Sequence, residues 1–200
     1  IKVDEITSTG SVRLRLRSMI ESLKIKQDTS GQNPIQRKST PSFEMKDKKR
    51  TILAPYFADN YSPLIPAVFE VAGYKVVNLP PPDRESVEIG LRYSNNDICY
   101  PATIVIGDII KALQTGKYDR NEIACGITQT GGQCRASNYL PLIRKAMVAA
   151  GYDDVPVISV TTSQGLHDQP GFEIDWLKML KVLFLGLIMA DSLAKMYYAT

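Results

Sequence analysis

Cysteine is scarce in this 200-residue chain, which holds only Cys99, Cys125 and Cys134. An odd, irregularly spaced set without a secretory pattern argues against a disulfide framework and for a reducing, cytoplasmic setting. Histidine is scarcer still, with His167 alone, and no Cys-x-x-Cys pair or Cys/His set has the spacing of a zinc site. Neither a Walker loop nor a Gly-x-Gly-x-x-Gly turn occurs, so a nucleotide site has no motif behind it. Long apolar runs are missing too. The most apolar stretch, Val182 to Ala190, falls far short of the ~20 residues that span a bilayer. With Lys178 and Lys181 just before it, it reads as a buried or interface helix and not as a membrane anchor. The first residues, Ile1-Lys2-Val3-Asp4, have neither an initiator Met nor a leader pattern, and the expectation is an excised piece of a longer chain.

What is present is ordinary globular composition, 44% hydrophobic and 22% charged, enough for one sizeable core with appendages. The net charge of +3 hides an asymmetry: residues 1–50 carry 12 Lys/Arg against 6 Asp/Glu, whereas 51–200 carry 12 against 15. The basic character therefore belongs to the N-terminal arm. That arm has no interleaved aromatics and no helix-turn-helix or zinc signature, so it reads as a solvated tether and not as a nucleic-acid site.

Within the arm, Ser11 to Arg17 alternates apolar and basic residues as a strand does, while Met19, Ile20 and Leu23 follow at helical spacing. Strand and helix both stay open there. Residues 26–50, rich in Gln, Ser, Pro and Lys, read as a linker. From Thr51 onward short β-rich runs alternate with amphipathic, helix-length segments, the pattern of βαβ units. Strands are expected at 51–55, 75–79, 122–128 and 155–160. Ser62 is expected to cap a helix with Pro63 in its first turn, and Gly73, Gly116 and Gly151 to stop helices. Pro80-Pro81-Pro82 must leave the sheet, since proline lacks a ladder N–H. A helix over 84–93 and another after Pro101 are predicted, and residues 173–199 form a long helix of their own. The expected fold is α/β, a mostly parallel four-stranded sheet with helices on both faces, flavodoxin-like, with domains at 1–50, 51–172 and 173–200.

In open parallel sheets ligands sit beyond the strand carboxyl ends. Three polar segments leave those ends: Ala58 to Tyr61, Thr128 to Asn138, and Thr161 to Gly165. In the second, Gly131 and Gly132 let the backbone approach a ligand, Ser137 or Asn138 can cap the next helix, and Arg135 adds a fixed positive charge favouring an anion. Cys134 beside that arginine, and Cys99 at the helix start before Pro101, are placed to ionise more easily than ordinary thiols. Cys125, inside an apolar strand, reads as a small core hydrophobe. A cysteine phosphatase needs an arginine six residues past its nucleophile, but Val105 and Leu140 stand there. A Cys134–His167 nucleophilic pair stays open. Iron–sulfur chemistry stays open as well, because thiolates can converge on a cluster from separate loops. Two cysteines do not close a cubane cluster, so further ligands would come from outside these residues.

Tyr56 to Pro80, Asn96-Asp97-Ile98-Cys99-Tyr100-Pro101, and above all Ile127-Thr128-Gln129-Thr130-Gly131-Gly132-Gln133-Cys134-Arg135-Ala136-Ser137-Asn138-Tyr139 resemble the large CoA-substrate-specific enzyme activases. These are related to the activator and iron–sulfur components of 2-hydroxyacyl-CoA (2-hydroxyglutaryl-CoA) dehydratases of anaerobic bacteria. Ser11 to Leu23 is similar to the joint after the ATPase halves of such proteins, and the resemblance covers most of residues 1–165. It implies a part in low-potential electron transfer, with Cys99 and Cys134 as ligands of a [4Fe–4S] or related cluster and dehydratase or activase subunits as partners. The actin-like ATP motifs of that family are absent, so no ATP site is implied, and residues 173–199 match none of its segments. The competing expectation is a non-catalytic α/β binding or docking module, recognising an anionic ligand at the Gly-Gly turn or a partner protein.

Overall fold

The computed structural model describes residues 13, 16–21, 23–24, 38–95, 98–129, 138–161 and 169–199. The chain divides into two compact units, Ile1–Arg37 and Lys38–Thr200. In the first, the described residues between Arg13 and Lys24 are helical. Glu21 and Lys24 pair at 3.0 Å along that helix.

The second unit is an α/β sandwich around four parallel strands: β1 (Thr51–Ala54), β2 (Val76–Asn78), β3 (Ile123–Thr128) and β4 (Val157–Val160), in the order β2-β1-β3-β4. Ile52 lies opposite Val76 on one side and Ala124 on the other, and Cys125 opposite Val157. The helices are α1 (Ile65–Val71), α2 (Arg84–Tyr93), α3 (Tyr100–Gln114), α4 (Tyr139–Ala149) and α5 (Trp176–Tyr198). The four strands, the helix at 84–93 and the long last helix fall where the apolar periodicity put them. Among the described residues, no helix is long and apolar enough to cross a membrane.

Strand alternation sends successive side chains to opposite faces, and two cores result. Leu53, Cys125, Ile127 and Val157 pack against Ile89, Ile106, Ile110, Ile143 and Met147 from α2, α3 and α4. On the other face Ile52, Ala54, Val76, Ala124 and Ile158 meet Ile65 and Phe69 of α1, with Phe43, Tyr74 and Phe172. Helices α2 and α3 cross with almost no space between their backbones. A Cβ at Gly107 would lie 2.6 Å from the Ser86 carbonyl carbon, and one at Gly90 would lie 2.9 Å from that of Thr103. Gly73, Gly116 and Gly151 stop their helices with φ of 81°, 68° and 80°, the left-handed region that glycine enters without a Cβ penalty.

Two local expectations are corrected. The compact unit begins at Lys38 and not at Thr51, because the stretch read as linker carries core residues: Phe43 is fully buried, and Gly171 N–H donates to its carbonyl at 2.9 Å. Asp47 is buried as well. Burial alone would raise its pKa, but the Glu44 amide and the Arg50 guanidinium, 2.6 Å away, hold the carboxyl below its ordinary value. Arg50 also donates to the carbonyls of Arg120 and Ile123, fixing this segment to the start of β3. The second correction concerns Ser62. Its hydroxyl caps no helix; it accepts from the backwards-lying amides of Phe57 and Ala58 at 2.8 and 3.0 Å, and residues 62–64 form a 3-10 turn before α1.

Candidate functional site

Because all four strands run the same way, their carboxyl ends share one edge, and helices returning to the next strand begin at that edge. Cys99 is the N-cap of α3, with φ −68° and ψ 144°, and Pro101 stands in the first turn where a missing N–H costs nothing. The Cys99 carbonyl accepts from Ala102 N–H at 3.0 Å and Thr103 N–H at 3.3 Å. Its side chain makes no capping bond to the helix. The sulfur instead sits 3.3 Å from the Tyr139 hydroxyl. Tyr139 is the first residue of α4, the helix that follows the Gly131–Ser137 segment in the chain. Cys99 is half-buried and stands at the positive end of a 15-residue helix, where negative charge is favoured.

Gly131, Gly132, Cys134 and Arg135 lie outside the described residues, as do Ser137 and His167. Asn138 occupies the N-cap of α4, but its side chain makes no cap bond. Of the five site residues singled out from the sequence, Cys99 is thus the one whose surroundings are defined. Cys125 behaves as a core residue. It is fully buried at the centre of β3, and desolvation pushes its thiol pKa up to about 12, so it is neither a nucleophile nor a ligand. Among the described residues, no group of three or more His, Cys, Asp or Glu could hold a metal ion.

The same edge carries polar contacts that no local pattern announced. The Gln169 side-chain amide imitates a neighbouring strand: Ser159 N–H donates to its Oε1 at 2.8 Å, and its Nε2 donates to the Ser159 carbonyl at 2.7 Å. Strand β4 is thereby paired on its outer side, which blunts an otherwise open sheet edge. The Ser159 hydroxyl donates to Gln129 Oε1 at 2.9 Å, joining β4 to the residue after β3. Nearby, the Tyr56 and Tyr61 hydroxyls donate to Asp59 at 2.8 Å and to Asp191 at 2.5 Å. These hydrogen bonds to carboxylates raise both phenol pKa values.

On the face opposite Cys99, a cleft of about 310 Å³ separates the sheet from its helices and is lined almost wholly by carbon. Ile52, Ala54, Gly126 and Ile158 form its floor, and Val68 and Phe69 of α1 one wall. Met179, Leu183 and Leu187 of α5 form the other. Its volume falls at the lower end of the ~300–1,000 Å³ typical of small-molecule sites. Periodicity alone could not show it, since each lining residue reads as ordinary core.

Comparison of the chain with protein-family models, with curated proteins and with solved structures gives no match in any of the three.

Proposed function

We propose that this chain is a component of an activase-related protein of 2-hydroxyacyl-CoA dehydratase systems, in which Cys99 and Cys134 supply two ligands to an iron–sulfur cluster. The single observation that supports the reading most is the position of Cys99. A half-buried thiol at a helix N-terminus, on the strand carboxyl edge, touches the first residue of the helix that follows Gly131-Gly132-Gln133-Cys134-Arg135.

Cys99, the one proposed donor among the described residues, suits a partial site of such a cluster. Cys99 is accessible enough to bind iron, whereas Cys125 is sealed in the core with its proton held. The two cysteines of this chain would leave the remaining positions of a four-iron cluster to ligands from beyond it. When bound, the cluster supplies a one-electron donor of low potential. The chain's own residues do the rest: the helix end and Arg135 offset negative charge on the thiolates or on an acyl-CoA anion, and Gly131 and Gly132 let the backbone come close to it.

The test is iron and acid-labile sulfide in the longest natural form of the protein, purified without oxygen. The expected result is a charge-transfer absorption that falls by at least half in both Cys99→Ser and Cys134→Ser and survives in Cys125→Ala. Protein without iron, or iron retained in the double Cys99/Cys134 variant, would replace this reading with that of a metal-free binding module.

A further inference from the structure

The apolar cleft under α5 lies on the opposite sheet face from Cys99, and the cluster reading leaves it unused. Three features define what it holds. Its floor is closed by carbon: the Ile52 and Ile158 side chains lie over Gly126 in the middle of β3, where a Cβ would already stand 2.7 Å from the Ile52 methyl and 3.7 Å from Ile158. One wall is set where α5 meets the turn before α1, a Cβ on Gly186 lying 3.5 Å from the Leu64 side chain, and Leu183 and Leu187 of α5 line the cleft beyond it. Its lining offers almost no polar atoms, so ordered water, which needs two to four polar partners, is a poor occupant, and a polar ligand would lose its own hydration without replacement.

The cleft also has a mouth and a direction. Phe57, Tyr61 and Leu187, at 48, 38 and 40%, and Thr128 are its exposed lining residues. Thr128 and Val160 line it at the carboxyl ends of β3 and β4, while Ile52 and Val76 line it farther down the sheet. An occupant thus enters near the strand carboxyl edge and lies with its far end over the middle of the sheet. At ~30 Å³ per water-sized group, 310 Å³ has room for roughly ten methylene-sized groups. From these features we infer that the cleft binds a single straight hydrocarbon chain of about ten carbons, the tail of a fatty acid or of an acyl thioester.

Each methylene that leaves water for such a lining tightens binding about fourfold, so the structure sets a length rule. Calorimetry of the whole chain with straight-chain fatty acids from hexanoate to tetradecanoate should show affinity rising about fourfold per carbon up to roughly C10 and then levelling. The matching acyl-CoA series separates the two sources of the chain: tighter binding at every length assigns the thioester, equal or weaker binding the free acid. Val160→Phe and Leu183→Trp put aromatic rings into the cleft at the edge of the sheet and on α5. Each should weaken decanoate at least 30-fold while leaving the far-ultraviolet spectrum and cooperative unfolding unchanged.

Three outcomes overturn the inference. One is affinity without dependence on length. Another is a rise that continues without a break to C14, which would mark adsorption to the exposed apolar side of α5. The third is equal binding by wild type and a folded cleft variant. If both variants unfold, the position of the break in the wild-type series still decides. Cys99→Ser should bind the chains as wild type does, so failure here and failure of the cluster reading are separate results.

Discussion

Gly107→Ala probes the contact that fixes α3, and with it Cys99. The new Cβ would lie 2.6 Å from the Ser86 carbonyl carbon and 2.9 Å from the Gly90 nitrogen, where ordinary contact begins at 3.4 Å. Both obstacles are backbone and the Ser86 carbonyl oxygen lies nearer still, so no rotamer change relieves them, and α2 must back away by about 1.5 Å. Overpacking of this kind costs about 1–3 kcal/mol, and a rigid backbone obstacle points to the upper end. Alanine's better helix propensity returns about 1 kcal/mol. The net expectation is a loss of about 2 kcal/mol, a fall in Tm of about 4–8 °C for a chain of this size. Urea unfolding followed by circular dichroism should show a lower midpoint with an unchanged slope. Gly73→Ala is the comparison: its φ of 81° strains any side chain, but nothing lies within 4 Å of the new Cβ, so it costs about 1 kcal/mol through backbone strain alone. A Gly107→Ala protein as stable as wild type would refute the close crossing and the positioning of α3 drawn from it.

Asp108 gives a pH signature. Burial raises its carboxyl pKa, outweighing the Ser86 hydrogen bond and Lys111, and its Oδ2 has no hydrogen-bond partner. A raised folded-state pKa means that the ionised form opposes folding at neutral pH, and the penalty fades as pH falls through that pKa toward the unfolded value of 3.8. Asp108→Asn should therefore be more stable than wild type at pH 7, with the gap closing near pH 4; denaturant midpoints across that range would show it. Gln169→Ala strips Ser159 of both outer hydrogen bonds and should cost about 2–3 kcal/mol in the same unfolding assay. Intact-mass measurement after brief iodoacetamide treatment should find Cys99 modified in the native protein and Cys125 modified only in denaturant.

Much of this fold was written in local pattern, because β-branched runs such as Val157-Ile158-Ser159-Val160 and glycine stops such as Gly116 act through neighbours in sequence. Pro101 likewise announced the helix start that Cys99 caps. What escaped was non-local. Phe43 sits among lysines and serines and is buried because Phe172 and Tyr74 meet it from elsewhere in the chain, while the Asp47–Arg50 pair is held because Arg50 reaches the carbonyls of Arg120 and Ile123. Ser62 carries the right residue type for a cap, yet the loop from Phe57 outcompetes the helix for its oxygen. Gln169 lies outside every expected strand, and its strand-like pairing depends on where β4 ends. The apolar cleft is the extreme case, since Met179, Leu183 and Leu187 read as ordinary core until the spacing of α5 from the sheet is known.

Bridging of the two proposed ligand sulfurs tests the central claim most directly. In a Cys125→Ala background without metal, a thiol-to-thiol reagent that spans only a few ångströms should link Cys99 to Cys134 within one chain, seen as a single mass addition and one joined peptide pair. Two independent single adducts at every reagent ratio, with no joined pair, would place the thiols apart and remove the basis for a shared cluster.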